Sequence, residues 1–177
     1  GGNLVLTCRT GHKTRTGQLF EAPFGEPIYS LIGAKIDFYD LLQPRTPDQI
    51  VFDDHTYDWT SWGEVLIPEA KTEIWATFQG DFYAGSPAIV NSRLGKGTVT
   101  YVGVDSQKGD LEKVVLKKLY GNLNIPLSDL PAGLHIEYRD GFGIAVNYAD
   151  QKYTLSLPAN TQYVIGGKEI PTAGVSV

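Results

Sequence analysis

Methionine is absent from these 177 residues, and cysteine occurs once, at Cys8. One cysteine excludes an internal disulfide. No apolar run reaches the roughly 18 residues that a membrane helix needs. A basic face is missing as well: the formal net charge is −5, and the acids are scattered rather than blocked. A nucleic-acid binder requires such a face, so neither nucleic acid nor membrane is expected as a partner. What is present is an apolar fraction of 42%, normal for a folded chain and contrary to disorder. The length suits one domain or two small ones. Gly1-Gly2 runs almost directly into the apolar stretch "NLVLTC" with no initiator methionine. The chain therefore reads as part of a longer polypeptide, and such a part cannot display a signal peptide.

Residues 3 to 8 form a short apolar run that fits a buried strand. "RTGHKTRTGQ" then reads as an exposed loop. "EPIYSLIGAKIDFYDLL" suggests a helical turn ending at Gly33, followed by a strand. Residues 43 to 72 look loop-rich, with Pro44, Pro47 and the run Asp53-Asp54-His55. "EIWATF", "AIVNS" and "GTVTYVGV" read as successive strands over 73–78, 88–92 and 97–104. The clearest helix is "GDLEKVVLKKLYGNLNIP". Leu111, Val114, Val115 and Leu119 fall on one face of a 3.6-residue repeat. Asp110 suits its start, Lys117 and Lys118 its end, and Gly121 and Asn122 its stop. Strand, loop, helix indicates an α/β unit. Beyond "LSDLPAG" the pattern becomes all strand. "LHIEYRDGFGIAVNYADQKYTLSL" holds three strands joined at Asp140-Gly141 and Ala149-Asp150-Gln151. "QYVIGG" and "AGVSV" are candidates for further strands. A domain boundary is expected within 126–132, giving domains at 1–127 and 132–177, the second a small antiparallel β-domain.

Four groups of residues have a chemical reading to be weighed against a plainer one. Gly95-Lys96-Gly97 resembles a phosphate loop at first sight. That loop needs G-x-x-x-x-G-K-[ST] between strand and helix, whereas here the glycines lie between two strands, and a hairpin turn accounts for them. Cys8 ends a strand, the place where an amidotransferase of the class I type exposes its nucleophile within G-x-C-x-G. Here Gly11 comes three residues after Cys8, and "VGVDSQ" has no histidine where the activating His-x-Glu should stand. The only His-x-Glu is His135-Ile136-Glu137, in a strand of the tail, so a structural cysteine is the plainer reading. Asp53, Asp54, His55 and Asp58 carry donors able to bind a cation, but runs of this kind are ordinarily solvated loop. Trp59, Trp62 and Trp75, with ten tyrosines, form either a sugar-stacking platform or core and subunit contacts. No acid stands out as one of a glycosidase pair. The chain is also too short for a (β/α)₈ barrel of about 250 residues.

The order of these pieces resembles family 42 glycoside hydrolases, the bacterial β-galactosidases. The matching stretches are "GGNLVLTCRTGHK", "PIYSLIGAKIDFYDLL", "WGEVL", "FYAGSPAIVNSRLGKGTVTYVGV", the helix and the β-rich tail. Most specific are Tyr83, Gly85, Pro87 and Ala88, then Gly95-Lys96-Gly97, then Tyr101-Val102-Gly103. The resemblance implies the second part of a trimerisation domain with an amidotransferase-like (flavodoxin-like) scaffold lacking that chemistry, then a C-terminal β-domain. It implies a homotrimeric parent that hydrolyses terminal β-D-galactosides through a catalytic barrel lying outside these residues. It therefore carries no catalytic, cofactor-binding or metal-binding position onto this chain. A cytoplasmic setting is implied by the resemblance alone.

Overall fold

The computed structural model describes residues 1–43, 46–106, 108–158 and 160–177; Pro44 and Gln107 of the stretches above lie outside them. The chain divides into two compact units, Gly1–Asn122 and Leu123–Val177. Strands of the first are β1 (Asn3–Thr7), β2 (Ala34–Leu41), β3 (Asp48–Phe52), β4 (His55–Trp59), β5 (Trp62–Pro68), β6 (Glu73–Phe78), β7 (Pro87–Leu94) and β8 (Gly97–Val102). Its helices are the single turn α1 (Tyr29–Ile32) and α2 (Asp110–Asn122). The second unit holds β9 (Leu134–Arg139), β10 (Phe142–Asn147) and the two-residue strands β11 (Tyr153–Thr154), β12 (Glu169–Ile170) and β13 (Val175–Ser176). No helix among the described residues is long and apolar enough to cross a membrane.

A six-stranded sheet in the order β1-β8-β7-β6-β3-β4 organises the first unit, and β2 pairs separately with β5. Only β1 and β8 run parallel among the described pairs; the rest are antiparallel. The sheet is thus mixed and poor in helix, and the α/β grammar of the sequence describes only β8 and α2. Side chains alternate across a strand. Accordingly, β5 and β7 each send Val65 and Ile89 into one apolar cluster and Leu66 and Val90 into another. Leu111, Val115 and Leu119 of α2 seal the first cluster, as their spacing predicts, while α2 itself runs on through Gly121 and Asn122. Lys118 does not serve the helix end: its Nζ reaches Asp53 at 2.7 Å and lies 5.0 Å from the Trp75 ring centroid.

Two expectations are corrected. Residues 43–72 hold three strands, because Asp53 and Asp54 both take positive φ (47° and 62°) and turn β3 directly into β4. The strand β4 lies at a sheet edge with most of its side chains outward, so it carries polar residues and resembles loop. Second, β1 is not buried: Leu4 and Val5 are 43% and 36% exposed, and of its apolar residues only Leu6 packs against a core cluster. The glycines of the β7–β8 turn do two jobs. Gly95 supplies φ +60°, and a Cβ on Gly97 would fall 2.1 Å from the Gly2 carbonyl oxygen. Gly97 therefore lets the start of the chain close onto β8, and the turn is a hairpin.

In the second unit β10 pairs with β9 and β13, while β11 pairs with β12 instead of continuing the meander. The segment "QYVIGG" contains no strand. The core is Leu134, Ala145, Leu155 and Ile170. Asn147 is fully buried at its edge. It donates to the Gln151 and Pro171 carbonyls at 2.7 and 3.0 Å and accepts from Ala149 N at 2.9 Å. These bonds divert the chain after β10. Asn147→Ala leaves the Gln151 and Pro171 carbonyls and the Ala149 N–H without their side-chain mate and is expected to lower the stability of this unit by about 2 kcal/mol, measured by urea denaturation followed at the tyrosines.

Candidate functional site

Two segments distant in sequence converge on a carboxylate of a third. Glu64 lies in β5, whose neighbours enter both apolar clusters, so strand alternation leaves no face in water. It is 0% exposed. A buried carboxylate without partners costs several kcal/mol, and here donors surround it. Arg9 N and Trp62 Nε1 each donate to Oε1 at 2.8 Å, and the Tyr101 hydroxyl donates to Oε2. Arg9 stands just past β1 at φ 67°, and Tyr101 is in β8. The carboxylate thus ties the end of β1 to β5 and β8.

The electrostatics match this burial. Burial pushes the Glu64 carboxyl above the ordinary range, against the pull of its hydrogen bonds to Tyr101, Arg9 and Trp62. Burial and the Glu64 charge push Tyr101 far up, so it stays a donor. His12 Nε2 lies 3.4 Å from Glu64 Oε1 without making a hydrogen bond. Burial, then the Arg9 charge, hold His12 below its usual value. Its imidazole is neutral at pH 7, and the contact is not an ion pair. Aromatic rings adjoin the site: Trp62 stacks on Tyr39 at 4.4 Å, and Phe24 lies 3.7 Å from the His12 ring. The Arg9 guanidinium is 5.1 Å from the Trp62 centroid.

Cys8, next to Arg9, is a free, partly buried thiol. Burial, then Glu64 and Asp105, push it up to about 12. A catalytic thiolate needs a positive environment; two carboxylates near Cys8 produce the reverse. Asp105 occupies the region after β8 where a histidine would be needed. It accepts from Ser61 N, Trp62 N and the Ser61 hydroxyl. Burial raises its pKa, but these bonds outweigh that and leave it lowered. Asp105 therefore closes the β4–β5 turn.

The remaining candidates disperse. Asp53 bonds Lys118, Asp58 accepts from Gln49 Nε2 at 2.9 Å, and His55 Nδ1 faces the Asp53 carbonyl at 2.8 Å. Among the described residues no three such ligands group together. Trp59 and Trp75 are core residues at 0% and 4% exposure, packed edge-on against Phe78 and Phe52. Only Trp62 reaches solvent, and Tyr39 stacks on it. His135 and Glu137 are exposed on β9 in the other unit, His135 beside Tyr148 at 5.4 Å. Sequence reasoning missed Glu64, Arg9, His12 and Tyr101 as a group. The one available signal was a lone acid inside the apolar run "WGEVLI".

A family model described as the beta-galactosidase trimerisation domain matches residues 1–128. This chain belongs to that family. The expectation drawn from the motif order holds: these residues are the trimerisation-domain region of a family 42 β-galactosidase with the C-terminal region that follows. β-Galactosidase BgaH of Haloferax lucentense is 28% identical over 178 residues, covering 100% of this chain and 26% of that protein. BgaB of a Geobacillus species is 27% identical over 189 residues, covering 100% and 28%. The β-galactosidase structure from Rahnella sp. R3 superposes with TM-score 0.85 at 24% identity, over 99% of this chain and 28% of that one. The enzyme from Halorubrum lacusprofundi gives 0.82 at 25%, over 99% and 27%. The chain thus spans about a quarter of its relatives' length.

Two outcomes follow from the trimerisation-domain site. The Glu64 carboxyl holds its proton more tightly folded than unfolded. Stability is therefore expected to fall as pH rises from the ordinary carboxylate value through the raised folded one. Glu64→Gln, which can still accept from Arg9 N and Trp62 Nε1, should flatten that slope. Glu64→Ala should cost about 3 kcal/mol or more by orphaning three donors; urea melts across pH 4 to 8 measure both. The Cys8 thiol should react with iodoacetamide more slowly than a free thiol at neutral pH, read by mass spectrometry.

Proposed function

We propose that the chain is the assembly part of a β-galactosidase and carries none of its catalytic groups. Residues 1–127 serve as an incomplete trimerisation domain and residues 132–177 as a C-terminal β-domain. The parent enzyme hydrolyses terminal β-D-galactosides through a barrel in the remainder of its length, and these residues hold its copies together as a homotrimer. The observation that carries this reading is the trimerisation-domain match over residues 1–128.

The amidotransferase-like origin of the scaffold is part of the same proposal. The parallel strands β1 and β8 are in register from Asn3↔Thr98 to Thr7↔Val102. They bring Cys8 and the residues after Val102 to one end of the sheet, where a thiol and its activating base would stand. Asp105 in place of that base, and a thiol pushed up to about 12, support a scaffold retained without its reaction.

Light scattering on a sizing column tests the assembly role. A trimer of the 19.4 kDa chain is the expected result, with no galactoside hydrolysis by the chain alone. A monomer at all concentrations would place the assembly surface outside these residues, and measurable hydrolysis would overturn the non-catalytic assignment.

A further inference from the structure

Leu134, Ile136 and Tyr138 point to one face of β9. Leu134 is core and Ile136 packs against it. Tyr138, next on the same face, is 71% exposed. Its cross-strand partner is Gly143, where a Cβ would come within 3.1 Å of the tyrosine ring. The missing side chain lets the phenol lie against the hairpin, so the core face runs out into an open groove of about 650 Å³. That size lies within the range of small-molecule sites.

The lining is chemically divided. Ala145, Leu155 and Leu157 contribute apolar surface, Phe142 a second ring, and Asn160 and Gln162 side-chain amides. Neither amide hydrogen-bonds another described residue. No Asp, Glu, Lys, Arg or His side chain lines the groove, and the Val177 carboxyl on its wall already accepts from Val164 N and Ile165 N. A charged ligand would find no side-chain counter-charge, and a purely apolar one would desolvate the amides without replacing their hydrogen bonds. A pyranose ring meets both demands: its C–H face covers an aromatic ring, and its hydroxyl rim both donates to and accepts from amides.

We propose that this groove of the C-terminal unit binds a neutral saccharide, with Tyr138 as its stacking platform and the 160–162 amides as its polar wall. The site is independent of the assembly role. It also lies outside the tryptophans, which all belong to Gly1–Asn122, so tryptophan fluorescence is blind to it.

The test is saturation-transfer NMR on the whole 177-residue chain with lactose, cellobiose and maltose, alongside chemical shifts of the tyrosine and phenylalanine rings. Expected is saturable transfer from at least one disaccharide, with the Tyr138 and Phe142 rings shifting together. Tyr138→Ala removes an exposed ring and should weaken binding at least about tenfold. Gly143→Val keeps every aromatic residue but lifts the Tyr138 ring off the hairpin, and should weaken binding comparably. No transfer from any of the three sugars would overturn the proposal. So would binding unchanged in both variants, or shifts confined to residues of Gly1–Asn122.

Discussion

The first unit depends on a buried carboxyl group. Glu64 sits among apolar side chains, and its retention there requires the Arg9 N–H, the Trp62 indole and the Tyr101 hydroxyl to arrive together. Each donor belongs to a different part of the chain. Their convergence fixes where β1 ends relative to β5 and β8, a constraint that apolar packing alone does not supply, because packing is tolerant of small slips. A carboxylate with three directed bonds is not. Its proton affinity is raised in consequence, so the group that defines the geometry also opposes folding when charged. A buried polar cluster of this kind exchanges stability for a single arrangement.

That cluster explains why no reaction need be sought at Cys8. Burial first, and then the same carboxylate that orders the end of β1 together with Asp105, suppress thiolate formation. Asp105 is itself committed to the backbone of Ser61 and Trp62. Both acids near the thiol thus hold the fold together.

Local features were legible in the sequence where a single segment determines its own shape. The α2 face of Leu111, Val115 and Leu119 is a matter of spacing, the β7–β8 hairpin of turn chemistry, and the stop of α1 at Gly33 of a left-handed glycine (φ 66°). Legibility failed where the deciding partner is remote. Strand β4 reads as loop because its polar side chains face outward at an edge, and β11 reads as a meander strand because Asn147, which diverts the chain, donates to the Pro171 carbonyl 24 residues away. Glu64 was hidden for the same reason: its meaning depends on Arg9 and Tyr101, 55 and 37 residues away. The family, by contrast, was legible in motif order across the whole chain.

Strand β1 has a consequence for how the sheet can grow. Parallel strands ordinarily have both faces covered, yet Leu4 and Val5, on opposite faces, are both exposed on a strand at the end of its sheet. The unpaired N–H and C=O groups of such an edge are a template for one more strand. A strand laid along β1 by the rest of a polypeptide about four times this length would extend the sheet without disturbing the register of β1 on β8.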